Sequence, residues 1–218
     1  MKQTKLNIPA LLGARICHDM ISPVGAISNG LELLSLTGDI AGPEVELIGD
    51  SVTNANARLK FFRLAFGVAG ADQMVSASEI TNILNAYYCD KGYQVVFAGS
   101  EDMKKSDVKL LFLLALCCES GMTRRGKVTL YSDMMVRCEG DVLPNTHALF
   151  TLLRNGGDWP AELEAAQVHF PLARMALQAA DLQIQCALNG QAFNVWTGAD
   201  LPDVLINREP SRPLRQGT

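Results

Sequence analysis

The chain has 218 residues, 48% hydrophobic and 19% charged, with a formal net charge of -4. That length holds one large domain or two small ones and ample material for a core. The acidic balance offers no footprint for nucleic acid, and the strongest apolar run, LLFLLALCC at 110–118, falls far below the roughly 20 residues of a membrane span.

The opening MKQTKLNIPALLG lacks the apolar stretch and small-residue cleavage site of a secretory signal. The expectation is a soluble, cytoplasmic protein without nucleic-acid or membrane partners. The cysteines (Cys17, Cys89, Cys117, Cys118, Cys138 and Cys186) form no C-x-x-C pair and have no histidine at zinc-like spacing. They read as small buried hydrophobes in a reducing compartment, and no metal site is expected.

In chain order, residues 6 to 69 read as two long helices joined by TGDIAGP (37–43), whose glycines and proline end one helix and begin the next. In the first helix Leu12, Ile16, Met20, Pro23, Ile27, Leu31 and Leu34 form an apolar stripe at helical period. In the second, Val45, Ile48, Val52, Ala55, Leu59, Phe62 and Phe66 repeat at alternating steps of 3 and 4, a coiled-coil-like seam. Two helices cannot cover both seams, so the pattern favours a homodimeric four-helix bundle over packing of the hairpin on its own second domain.

Beyond Ser76, helical and strand patterns mix. SASEITNILNAYYCDKG is a capped helix ending at Gly92, and YQVVFAG a strand. SDVKLLFLLALCCESG is a buried helix capped by Ser106. KVTLYSD, MMVRCEG, LQIQCALNG and AFNVWTG are strands, a helix is expected over 161–179, and the tail REPSRPLRQGT is polar. The fold class is α+β: a helical hairpin domain over 1–70, an α/β sandwich domain over 76–206 and a flexible tail over 207–218.

Within ARICHDMISPVGAISNGLELL (14–34), His18 lies opposite the apolar stripe at about 100° per residue, and so faces solvent. Its helical neighbours are Leu11, Ala14, Arg15, Ile21, Ser22 and Gly25, several of them small or apolar groups that suggest a protein-docking face. Folding the hairpin near residue 40 brings Arg63 roughly level with His18. Pro23 removes one helical hydrogen bond and frees the carbonyl of Asp19, kinking the helix beside the histidine. These residues alone leave His18 open between an inert surface histidine and a reactive one.

CHDMISPVGAISNGLELL resembles the H-box of sensor histidine kinases, whose core pattern is His-Asp/Glu-hydrophobic-Arg/Lys-x-Pro followed by an apolar residue. His18, Asp19, Met20, Pro23 and Val24 match, and Ile21 departs where kinases carry a basic residue. With RLAFG (63–67) closing the second helix, the wording is closer to ChpT-type histidine phosphotransferases of bacterial relays. The resemblance implies a homodimer in which His18 takes a phosphoryl group from a receiver-domain aspartate, such as that of a hybrid histidine kinase, and passes it to a response regulator. It implies that Asp19 orients the ring or accepts its proton, and that the Mg²⁺ belongs to the partner receiver, with no cofactor bound by this chain. Arg15, Ile21, Ser22, Gly25 and Arg63 would then contact the partner, with Arg15 either neutralising a phosphoryl oxygen or, the favoured reading, pairing with Asp19 at i,i+4.

The second domain would be similar to a kinase ATPase domain that no longer binds nucleotide. Cys117 stands where the Mg²⁺-holding asparagine is expected, DKGYQ (90–94) fails as an adenine-binding box, and no GxxxxGK[ST] occurs. A non-catalytic dimeric receiver-binding module and an ATP-dependent kinase fragment are the competing readings. His147, ahead of the helix-like ALFTLL, and His169 lack an adjacent acid and read as structural.

Overall fold

The computed structural model describes residues 6–37, 42–70, 72–142, 146–189 and 192–198. The expected tail 207–218 and most of the interhelical turn lie outside the described residues.

The hairpin consists of α1 (Ile8–Thr37) and α2 (Pro43–Ala65). Asn7 starts α1, its side-chain oxygen accepting from the Ala10 N–H at 3.1 Å. Pro43 begins α2, where its missing N–H costs nothing, and Glu44 and Glu46 place acids on the positive end of the helix dipole. The α2 seam divides. Ala55 and Phe62 are buried and Ile48 is half-buried, whereas Val45, Val52 and Leu59 are exposed. One hairpin therefore covers only half of its own seam.

The second domain runs β1 (Met74–Val75), α3 (Ala77–Tyr88), β2 (Tyr93–Ala98), β3 (Met103–Lys104), α4 (Lys105–Glu119), β4 (Met122–Tyr131), β5 (Met135–Val142), α5 (Thr146–Asn155), α6 (His169–Ala179), β6 (Ile184–Asn189) and β7 (Ala192–Thr197). Five strands form one sheet in the order β2-β4-β5-β7-β6. β2 and β4 are parallel, as their α4 crossover allows, and the other neighbours are antiparallel. β1 and β3 make a separate antiparallel pair. α4 is buried from Leu110 to Cys118 because it is covered by the sheet, by α2 and by α6.

The end of the hairpin is built into this domain. Phe61 stacks between Tyr87 (3.7 Å) and Phe112 (4.7 Å), and Phe62, Leu64 and Ala65 join the same core. The aromatic cluster fixes α2 against α3 and α4.

Local expectations need three corrections. Ser106 does not cap α4: the N-cap is Lys104, and the Ser106 hydroxyl donates to Asp107 instead. The helix expected over 161–179 is broken. A turn closed by the Leu163 N–H on the Pro160 carbonyl leads to a 3-10 turn, Ala165–Gln167, and then to α6. Pro171 fits there because a helix's first turn has no internal acceptor to lose. The ALFTLL run, read as helix-like, does lie in a helix, α5. Finally, Cys117, Cys118 and Cys138 are buried, but Cys17 and Cys89 are exposed. Cys17 follows the helix phase of His18, on the outer face of α1.

Candidate functional site

His18 projects from α1 with its side chain 86% exposed, while the adjacent Asp19 carboxylate is only 12% exposed. The difference follows from the 100° step between successive helical residues, which turns Asp19 towards the hairpin groove. His18 Nδ1 lies 3.2 Å from Asp19 Oδ1. An ion-paired carboxylate can only accept, so this contact favours the proton on Nδ1 and leaves Nε2 with its lone pair in solvent.

The other Asp19 oxygen is held by Arg15, whose Nε donates to Oδ2 at 2.8 Å. Burial acts to lower the Arg15 pKa, but the Asp19 charge and its hydrogen bond outweigh it, and the net shift is upward. Arg15 Nη1 also donates to the Ala166 carbonyl of the second domain at 2.8 Å. Arg15 is thus committed to structure on both sides rather than standing free at the surface.

Pro23 is buried, and α1 continues through it. The Asp19 carbonyl that it frees accepts from Arg58 Nη1 at 3.1 Å. Arg58 was not singled out from the sequence, and it takes the place expected for Arg63. Asp19–Arg58 and Gly30–Ile48 both pair about a centre near residue 39. An error of one residue in the turn doubles along the helices, so Arg63 falls almost a helical turn beyond His18. Its side chain instead lines a cleft between α2 and α3 with Lys60, Ser78, Glu79 and Asn82.

Ile21 (68% exposed), Ser22 and Gly25 do share the His18 face. A Cβ added at Gly25 would meet nothing within 4 Å, so the surface there is open. On the other side of Arg15 a cleft of about 560 Å³ lies between the hairpin and the second domain, lined by Lys91, Glu119, Ser120 and His169. Lys91 pairs with Glu119 at 2.9 Å and sits 3.9 Å above the Tyr87 ring. Burial lowers the Lys91 pKa, against the pull of Glu119. His169 is wholly buried, with Nε2 on the Ser120 hydroxyl at 3.0 Å, and burial pushes its pKa down to about 3. It is a neutral core residue. The side chain of His147 lies outside what the structure describes.

Cys117 is fully buried and burial raises its thiol pKa well above the ordinary value. Among the described residues no group of three or more His, Cys, Asp or Glu could hold a metal ion, and no helix is long and apolar enough to cross a membrane.

The sequence profile of the histidine phosphotransferase C-terminal domain matches residues 77–192, more than half of the chain. The chain belongs to this family. It is 39% identical over 137 residues to the protein phosphotransferase ChpT of Brucella abortus (strain 2308), and the match spans 62% of each chain. It is also similar to a solved bacterial phosphotransferase, 27% identical, with a TM-score of 0.72 over 91% of this chain and 98% of that one. The family profile covers the second domain, so His18 lies outside the segment that identifies the family. The architecture shared with the solved phosphotransferase includes the hairpin, given that coverage.

Proposed function

We propose that this protein is a histidine phosphotransferase of a bacterial phosphorelay that accepts a phosphoryl group on His18 and hands it on. The observation that carries the reading is the state of the His18 ring. In a chain of this family it stands on an exposed helical face, with Nδ1 on an anchored acid and Nε2 open to a partner.

The chemistry balances without a cofactor on this chain. His18 Nε2 attacks the phosphorus of a receiver's aspartyl phosphate. The N–P bond forms, the acyl P–O bond breaks, and the receiver's carboxylate leaves. The ring is then a phosphorylated imidazolium that still carries its Nδ1 proton. Asp19 stabilises that positive charge until the proton passes to solvent. Transfer to a second receiver runs the same steps backwards. Phosphoryl transfer asks mainly for in-line positioning and charge neutralisation, and the Mg²⁺ that neutralises the phosphoryl oxygens would come with the receiver.

Two features fit the rest of the assignment. The uncovered half of the α2 seam suits a second copy of the hairpin, giving a homodimeric four-helix bundle. The buried thiol of Cys117, where a kinase would need an oxygen ligand for Mg²⁺, speaks for a carrier and against an ATP-dependent kinase.

The test mixes a labelled, phosphorylated receiver domain, freed of ATP, with the wild-type chain and with His18→Gln. Acid-labile, base-stable label on the wild type alone is expected. Binding of receivers without label on either protein would replace this reading with that of a docking module.

A further inference from the structure

The two hydrogen bonds of Arg15 join different parts of the molecule. Nε reaches Asp19 Oδ2 four residues along the same helix, and Nη1 reaches the Ala166 carbonyl 151 residues away, both at 2.8 Å. The side chains of Arg15 and Asp19 are 16% and 12% exposed. An ordinary i,i+4 surface pair would leave the remaining guanidinium donors in water. Here one is aimed at the backbone of another domain.

A guanidinium is a rigid planar fork and a carboxylate a rigid plane. Displacing the Ala166 carbonyl therefore tilts Arg15, and tilting Arg15 turns the carboxylate whose other oxygen faces His18 Nδ1 at 3.2 Å. The far end of this chain is itself held. Ala166 sits in the 3-10 turn that Glu164 and Gln167 close reciprocally, with the Glu164 N–H on Gln167 Oε1 at 3.3 Å.

We propose that Arg15 is a positioning residue through which the C-terminal domain sets the tautomer and orientation of His18. The Ala166 carbonyl fixes Arg15, Arg15 fixes Asp19, and Asp19 keeps the His18 proton on Nδ1 so that Nε2 presents its lone pair. This rests on His18 being the phosphoryl acceptor, and it gives the second domain a task that the transfer chemistry alone does not require.

The experiment uses full-length ¹⁵N-labelled protein, unphosphorylated, with His18→Gln to assign the His18 ring. Two-bond ¹⁵N–¹H spectra read its tautomer, and label transfer from a phosphorylated receiver reads the rate. Arg15→Gln removes both bonds. Gln167→Ala loosens the 3-10 turn without touching α1, and remains informative if the arginine variant folds poorly. Both are expected to shift the ring towards the Nε2–H tautomer and to slow transfer by about tenfold, the scale of one charge-assisted hydrogen bond. Arg15→Lys, a single ammonium, should not restore the wild-type tautomer.

An unchanged tautomer in Arg15→Gln would overturn the inference. So would wild-type behaviour of a folded Gln167→Ala beside a slow Arg15→Gln, because Arg15 would then act locally on the phosphoryl group. A wild-type chain that binds receivers but takes no label would sink the phosphotransfer reading instead, while the tautomer comparison would still stand or fall on its own.

Discussion

Arg58 Nη1 donates to the backbone carbonyl of Asp19 at 3.1 Å, and that carbonyl is the one Pro23 deprives of its helical N–H partner. A side chain of α2 thus replaces a backbone bond of α1 one residue from the candidate acceptor. Asn54 aims the guanidinium, accepting from Arg58 Nε at 2.7 Å, and is itself bonded to Asp90 at 2.7 Å. The two residues should be thermodynamically coupled. Arg58→Met is expected to cost about 1.5–3 kcal/mol, the range for a hydrogen bond that involves a charged group. In a Pro23→Ala background, where the helix can close its own bond, the same substitution should cost about 1 kcal/mol less. A urea double-mutant cycle at fixed protein concentration measures this, and additivity within about 0.3 kcal/mol would disprove the coupling.

Two glycines of α1 should answer the same substitution with opposite signs. A Cβ at Gly25 meets nothing within 4 Å, whereas one at Gly30 would stand 2.6 Å from Ile48 Cγ1. Alanine is intrinsically better in a helix than glycine by about 1 kcal/mol, so Gly25→Ala should stabilise by up to that amount. At Gly30 the clash is with an inner side-chain atom that cannot simply swing away. Overpacking of about 1–3 kcal/mol should exceed the propensity gain and leave Gly30→Ala destabilised. Adding Ile48→Ala to Gly30→Ala should remove the clash, though not the packing lost with isoleucine. Thermal melts of the variants decide, and equal shifts at Gly25 and Gly30 would contradict the close approach.

The hairpin was legible because its signals are local. The stripe containing Ile16 and Met20 fixes a helical phase, and that phase places His18 outward. The cross-helix partner was not legible, since pairing Asp19 with Arg58 rather than His18 with Arg63 depends on where the turn is centred, which periodicity does not settle. The Arg15–Ala166 bond joins residues 151 positions apart through a backbone carbonyl, and a carbonyl has no residue identity to read. Helix α5 showed only as the apolar run ALFTLL, and the break before α6 depends on the Glu164–Gln167 cap, a pattern too short to stand out. Sequence reading thus placed the candidate histidine and its acid neighbour on the helix, and missed the cross-helix and cross-domain contacts that hold them.

The division of the α2 seam makes the quaternary expectation specific. Val45, Val52 and Leu59 recur every seven residues and are all exposed, whereas Ala55 and Phe62 of the same seam are buried. Charges at the exposed positions should cost the monomer little, since they face solvent there. They should be incompatible with a second hairpin on the same face. By sedimentation equilibrium the wild type is expected to run as a dimer, and Val52→Glu combined with Leu59→Lys as a folded monomer. A variant that keeps the wild-type mass would show that the seam is covered by something else or by nothing.

His169 should dominate one part of the acid response. Burial, reinforced by the positive charges of Arg15 and Lys91, lowers its pKa from 6.5 to about 3 in the folded protein. The unfolded chain therefore binds the extra proton first as pH falls. The stability tied to the neutral ring is complete above about pH 6.5 and is lost progressively towards pH 3, at a limiting slope of about 1.4 kcal/mol per pH unit. Carboxylates also titrate in this window, so the comparison must be made between variants. His169→Gln can keep a hydrogen bond to Ser120 but does not titrate. Its unfolding free energy should fall less steeply than the wild type's, by about 2 kcal/mol between roughly pH 6.5 and pH 5. Parallel urea titrations across that range test it. Identical pH dependence in the two proteins would mean that the His169 ring gains its proton without unfolding, with Ser120 and the cleft admitting water to it.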